Sequence, residues 1–311
     1  VTMERGQPRA MPGHHDDCAV AGTLIRCWRG MIPIESVVAG DLVLTHLGRW
    51  RKVTRCITRH SKTVFRIEAV GRPPVTVTPN HQLLVAKQER NWKNYNRTGG
   101  FLTHGRPVWK SVDSGDDLTR FAALTAVPIE VRDVDCIDLL EYAPKTYRDD
   151  CGTLRAYTYG GSRVNPKCNP IKRILEVDDA LCFLMGYFAA EGSVGEHLVA
   201  FASHVREKPI RDRVVLYLEG LGAKPCVRQC SENGGVVSAG SMVLSRFFRT
   251  FGKSRKKSLP TWTALLPPEK QRQILLGYFL GDGCFSSGRL NSVTISATLA
   301  AQIYEMMLRQ K

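Results

Sequence analysis

Two stretches of this sequence are built on one plan. Leu184-Met185-Gly186-Tyr187-Phe188-Ala189-Ala190-Glu191-Gly192 and Leu276-Gly277-Tyr278-Phe279-Leu280-Gly281-Asp282-Gly283 are short apolar runs with a glycine near the middle. Each closes on a carboxylate followed by glycine, and the two acids are offset by 282 − 191 = 91 residues. The glycines allow two such helices to approach backbone to backbone, which sets Glu191 and Asp282 side by side. A helix C-terminus carries partial negative charge, so two acids gathered there repel both it and each other. A bound divalent cation removes that conflict. Oxygen ligands that leave room for water suit Mg²⁺, which activates water and stabilises a departing phosphate oxygen. Either acid alone is better read as an ordinary exposed residue; the duplication changes the balance.

The surrounding pattern is helical. Asp178 or Asp179 caps a helix over 180–190, and a strand is expected over 198–202. An amphipathic helix follows over 209–221, then strands over 226–229 and 236–239 and a helix over 241–251. The order starts again with a helix over 268–280, a strand over 290–296 and a helix over 298–309, so the second copy of an internal repeat stops short. The first part of the chain has a different texture. From Cys18, short β-prone runs alternate with Gly, Asp and Pro turns: 33–45, 53–57, 63–70, 74–78, 81–86, 108–110 and 122–131. Residues 144–175 are rich in Gly, Pro, Lys and Arg and read as a basic connection.

Charge and cysteine usage narrow the class. The net charge of +15, with a pI of about 9.5, makes nucleic acid the first partner to consider. The ten cysteines show no secreted-scaffold spacing; Cys226 and Cys230 lack a second pair that would complete a zinc site. No apolar stretch opens the chain, and the longest apolar runs, 181–190 and 274–280, are too short to span a bilayer. A cytoplasmic, monomeric protein without membrane attachment is expected.

The duplicated segments resemble the paired motifs of LAGLIDADG (DOD-type) homing endonucleases. The resemblance covers roughly 176–311, including the helix, two strands and helix between the motifs and the run Phe251-Gly252-Lys253-Ser254-Arg255-Lys256-Lys257. It implies that the motif helices form the interface of two α/β halves and that Glu191 and Asp282 hold Mg²⁺ or a similar cation at the scissile phosphates. It also implies a basic residue near the cleavage site, here Lys256 or Lys257, and a basic saddle on double-stranded DNA. Arg206, Lys208, Arg211, Arg213, Lys224, Arg228, Arg246 and Arg249, with Lys253, Arg255, Lys256 and Lys257 after them, fit that saddle as a group. Each phosphate neutralised adds about −0.9 to the log–log salt slope.

Cys18-Ala19-Val20-Ala21-Gly22-Thr23-Leu24-Ile25 resembles the opening of an intein, and Thr78-Pro79-Asn80-His81 has the spacing of the intein motif that contacts the scissile peptide. The fold implied is the β-rich Hint horseshoe, here followed by an α/β LAGLIDADG domain with an αββαββα-type repeat. The chemistry follows from residue type. The Cys18 thiolate attacks the Asp17 carbonyl and converts the amide to a thioester in an N–S acyl shift. A free thiol, with a pKa of about 8.5, needs activation at neutral pH. His81 protonates the leaving nitrogen, and Thr78 steadies the peptide or its oxyanion by a hydrogen bond.

The expected organisation is therefore 1–17 as a flanking extein remnant, 18–143 as the N-terminal part of a Hint domain, 144–175 as a linker and 176–311 as the endonuclease. Inteins end in His-Asn before Cys, Ser or Thr; no such end occurs before Lys311, and a C-terminally truncated intein is expected. His14-His15-Asp16-Asp17 resembles a segment of phage terminase large subunits, which makes that protein a candidate host. A LAGLIDADG-scaffold DNA-binding protein without nuclease activity, and a hedgehog-like autoprocessing domain, are the alternatives; the duplicated acids argue against both.

Overall fold

The structure is a computed structural model describing residues 18–69, 73–91, 101–125, 127–157, 163–165, 169–286 and 288–310. The expected remnant 1–17, with Asp17, lies outside the described residues, as do Gly160, Gly161, Pro166 and Cys168. The chain divides into two compact units, Val1–Glu130 and Val131–Lys311.

The first unit is built from antiparallel β-structure. Strands β1 (Leu24–Cys27), β2 (Gly30–Pro33), β3 (Leu42–Leu44) and β4 (Trp50–Lys52) form one sheet in the order β2-β1-β3-β4. Arg29, in the turn between β1 and β2, donates from Nε and Nη2 to the two carboxylate oxygens of Asp41, just before β3, at 2.9 and 2.6 Å. These bonds hold the Asp41 carboxyl down at about 2. β5 (Phe65–Ile67) pairs β6 (Val75–Val77), and the long hairpin of β7 (Gln82–Asn91) and β8 (Phe101–Ser111) adds β9 (Phe121–Ala123) on the other edge of β7. The strand expected over 53–57 does not form. Val53 alone is buried there, while residues 54–57 are exposed, so nothing rewards a continued ladder.

The second unit holds the large apolar core. The stretch expected as a linker is instead structured. β10 (Cys136–Asp138) pairs β14 (Ile174–Glu176), and β11 (Tyr147–Asp150), β12 (Thr153–Ala156) and β13 (Ile171–Lys172) form a three-stranded sheet. Tyr147, Leu154, Ala156 and Ile171 join the core. Its basic and turn-forming composition conceals this alternation.

Helix α1 (Asp179–Glu191) is capped by Asp178, whose carboxylate accepts the Leu181 amide at 2.8 Å. Nine successive residues, 181–189, are buried, which marks a helix enclosed on every side rather than an amphipathic one. β15 (Gly192–Val194) and β16 (Leu198–His204) follow, then α2 (Lys208–Gly220), β17 (Pro225–Gln229), β18 (Gly234–Gly240) and α3 (Met242–Arg249). The sheet order is β15-β16-β18-β17. The element order then recurs as α4 (Pro268–Asp282), β19 (Gly283–Ser286), β20 (Arg289–Ser292) and α5 (Ala297–Arg309).

Alternation splits the four-stranded sheet cleanly. Val199, Phe201, Val237 and Ala239 are buried against the helices; Phe201 meets Phe188 of α1 and Phe248 of α3 at ring distances of 5.8 and 5.9 Å. The other face carries Ser193, Ala200, Ala202, Val236, Ser238 and Arg228, aligned by the pairs Ser193–Ala200, Ala200–Ser238, Ala202–Val236 and Arg228–Val236. No helix among the described residues is long and apolar enough to cross a membrane.

Candidate functional site

The acid pair is positioned by a seam without side chains. A methyl placed on Gly186 would overlap the Ile274 carbonyl, and one placed on Gly277 would overlap the Phe183 carbonyl. The contact is reciprocal: 277 − 186 and 274 − 183 both equal 91, the offset of the acids. Such exchange of partners is the signature of a local two-fold relation between α1 and α4. Beside it, a methyl on Gly281 would lie 2.5 Å from Ala190 Cβ and 3.0 Å from Glu191 Cγ. The two helix ends are thereby locked together, and their acids with them.

The electrostatics follow from that placement. Glu191 is half-buried, and its carboxyl is pushed up, first by burial, then by the charges of Asp282 and Glu207. Asp282 stays open to solvent, yet loss of hydration against the protein also raises it. Lys257 offsets both. Its ammonium donates to the carbonyl oxygens of Ala190 and Gly192 at 3.1 and 3.3 Å, satisfying the end of α1. Burial lowers the Lys257 pKa while Asp282 and Glu191 pull it back up. Of the two candidate lysines, Lys257 is thus the one at the acids; Lys256 is exposed in the turn before it.

That turn depends on Gly252, which adopts φ +72° and faces the Lys256 carbonyl so closely that a Cβ would overlap it. Ser254 is also left-handed, at φ 48°, a conformation that stores strain in a residue with a side chain. The fold-back opens a hollow of about 500 Å³ whose walls include Asp282, Lys257, Lys253, Ser193 and Thr294. On the other side of Glu191, a hollow of about 290 Å³ is lined by His204, Glu207, Ser203 and Asn233. Gly252 is legible in sequence only as part of the basic run, and Glu207 is not singled out there, because their places depend on folded neighbours.

Among the described residues no group of three or more His, Cys, Asp or Glu side chains could hold a metal ion. Glu191 and Asp282 offer a donor set of two carboxylates. Cys226 and Cys230 are free and exposed.

The expected DNA-contacting residues have different surroundings. Arg228 lies on the open sheet face and Lys253 beside the acids, with Arg255 exposed in the same turn. Arg206 and Lys208 are exposed at the start of α2, where Lys208 pairs with Asp212 at 2.5 Å. Arg211 has a structural task, donating to the carbonyls of His204 and Val205 at 2.7 and 2.8 Å. Arg213 lies 4.0 Å over the Phe183 ring. Arg246 faces away from the sheet, since Val243, Leu244, Phe247 and Phe248 take the buried side of α3.

In the first unit, Cys18 and Thr78 are joined directly. The Cys18 amide donates to Thr78 Oγ1 at 3.1 Å, and the Thr78 amide donates to the Cys18 carbonyl at 3.0 Å. The His81 amide closes the turn on the Thr78 carbonyl at 3.1 Å. Ala19 bridges Val77, so the Cys18 segment runs antiparallel to β6.

No family model matches the chain. It is 26% identical to an uncharacterised protein of Methanocaldococcus jannaschii, over 96% of this chain and 37% of that protein. It is 24% identical to the ATP-dependent DNA helicase Hel308 of Thermococcus kodakarensis, over 94% and 27%. With an iron-sulfur cluster assembly SufBD family protein of Mycobacterium leprae the identity is 25%, over 86% and 28%. The chain thus spans about a third of the length of the curated relatives it matches.

Proposed function

We propose that the chain belongs to an intein: a Hint splicing domain carrying a LAGLIDADG homing endonuclease that cuts double-stranded DNA. The observation that carries the nuclease half is the reciprocal glycine seam that fixes Glu191 beside Asp282. The relatives support the insertion. Nearly the whole chain matches a fraction of proteins named as a DNA helicase and as an iron-sulfur cluster assembly protein. A module inserted into unrelated hosts predicts that pattern. The helicase also agrees with a nucleic-acid-related enzyme.

In the splicing step, the Cys18 sulfur bonds to the Asp17 carbonyl carbon while the bond from that carbon to the Cys18 nitrogen breaks. The products are a thioester and a free amine: the thiol gives up its proton as the nitrogen gains one from His81, which the thiol proton replaces, so the step is proton-neutral. Thr78 accepts the hydrogen bond from that same nitrogen. Its hydroxyl therefore steadies the leaving atom, a more specific task than the general support expected from spacing.

In the DNA step, Glu191 and Asp282 would hold a divalent cation, and their raised carboxyls fit that use: each is uncomfortable as an uncompensated charge. Two carboxylates leave the remaining coordination to water and phosphate, which suits Mg²⁺. Such a cation, when bound, would supply Lewis acidity for phosphodiester hydrolysis. Lys257 holds the end of α1 and adds charge beside the phosphate. Lys253, Arg255 and Arg228 contact the backbone, while the open sheet face enters the major groove.

The test is Mg²⁺-dependent nicking of a randomised duplex library by the full chain, against Glu191→Gln and Asp282→Asn. Cleavage by the wild type that both variants lose supports the endonuclease. Retained binding with no cleavage by any of the three would leave the non-cutting DNA-binding scaffold as the better account.

A further inference from the structure

We infer that the β11–β12–β13 sheet is a second DNA-backbone surface, extending the contact beyond the four-stranded sheet. This inference rests on the nucleic-acid reading above. The segment 144–175 holds seven basic residues (Lys145, Arg148, Arg155, Arg163, Lys167, Lys172 and Arg173) and two acids, Asp149 and Asp150. The strand registers sort them by face. Tyr147, Leu154, Ala156 and Ile171 point into the core. The opposite face carries Arg148 directly across from Arg155, and Thr153 directly across from Lys172.

Like charges directly opposed on neighbouring strands destabilise a sheet unless something neutralises them. Asp150 relieves the opposition by neutralising Arg155 at 2.7 Å, and Asp149 is engaged by Arg173 at 3.1 Å, so neither acid is left for Arg148 or Lys172. Lys145, Arg148 and Lys172 are exposed and have no acidic partner among the described residues. The Arg148 guanidinium lies 5.0 Å over the Tyr157 ring, which holds it extended without neutralising it.

The sheet's position supplies the second argument. The Lys172 amide donates to the Leu221 carbonyl at 3.1 Å, and Gly222 packs on the Pro170 carbonyl. That junction immediately precedes Lys224, exposed, and β17, which carries Arg228 on the open face. The basic row therefore abuts the segment that leads into β17, and its spaced cations suit the regularly spaced phosphates of a duplex.

The test compares the full chain with a Lys145→Gln, Arg148→Gln, Lys172→Gln triple variant by fluorescence anisotropy across a salt series. One duplex is long enough to pass beyond the four-stranded sheet and one is short. The triple variant is expected to have a shallower salt slope on the long duplex, by about 0.9 for each phosphate no longer neutralised, and an unchanged slope on the short one. Asp150→Asn, which frees Arg155, should steepen the slope on the long duplex. Equal slopes for wild type and triple variant, or no effect of Asp150→Asn, would overturn the second surface and leave the proposed function standing. Absence of salt-dependent binding by the wild type would remove both.

Discussion

The Lys257 ammonium sits 3.1 Å from the Ala190 carbonyl, capping the helix that delivers Glu191. One cation thus serves the end of α1 and the charge of two carboxylates. Replacing it with methionine keeps most of the aliphatic bulk and removes the charge. Cleavage by Lys257→Met is expected to fall by about 10² to 10³, the usual loss when a preorganised donor is removed. Mg²⁺ binding measured by calorimetry should be retained, because a competing cation has gone. Wild-type cleavage by this variant would make the lysine purely structural.

The two acids impose a pH signature on stability. Their folded carboxyls are raised above the ordinary values of 4.5 and 3.8. Protonation therefore favours the folded state: this contribution is complete below the unfolded values and is lost as pH rises through the folded ones. Above the folded values, and without metal, the ionised pair is unfavourable. Glu191→Gln and Asp282→Asn should each melt at a higher temperature than wild type at pH 7, with the advantage vanishing near pH 4. A lower melting temperature for both variants at pH 7 would contradict the assigned repulsion.

Helix propensity and close approach make opposite predictions at the seam. In an exposed helix, glycine to alanine stabilises by about 1 kcal/mol. At Gly186 and Gly277 the added methyl meets backbone, which cannot rotate away. Overpacking of this kind costs about 1–3 kcal/mol or more. Gly186→Ala and Gly277→Ala are each expected to lower stability by about 2 kcal/mol net in urea unfolding; a gain would mean the helices are not in backbone contact.

The splicing assignment is tested by thiol-induced release of residues 1–17. Cys18→Ala should abolish release under dithiothreitol. Thr78→Val, nearly isosteric, leaves the Cys18 amide without its acceptor and should slow release by about 10². If mass spectrometry finds release undiminished in Cys18→Ala, another group breaks the bond.

Sequence patterning located the helices of the second unit closely because their signals are local. Asp178 caps α1, glycine follows each motif acid, and Ser241 caps α3 by accepting the Leu244 amide at 3.2 Å. It failed where packing across the chain decides. Leu154 and Ile171 pair across a gap of sixteen intervening residues, and nothing in the basic text around them announces a core. Lys256 and Lys257 are chemically identical neighbours, and only the left-handed turn at Gly252 determines which one points inward. Arg211 and Arg246 looked interchangeable as surface charges until their helices acquired a buried side.

The glycine contact between α1 and α4 also has a consequence for adaptability. A join made of main chain has no rotamers, so it cannot yield when one partner is altered. On the endonuclease reading, the spacing of the two acids is then a fixed gauge, and new targets must be accommodated by residues on the strands, whose side chains can be exchanged without disturbing it.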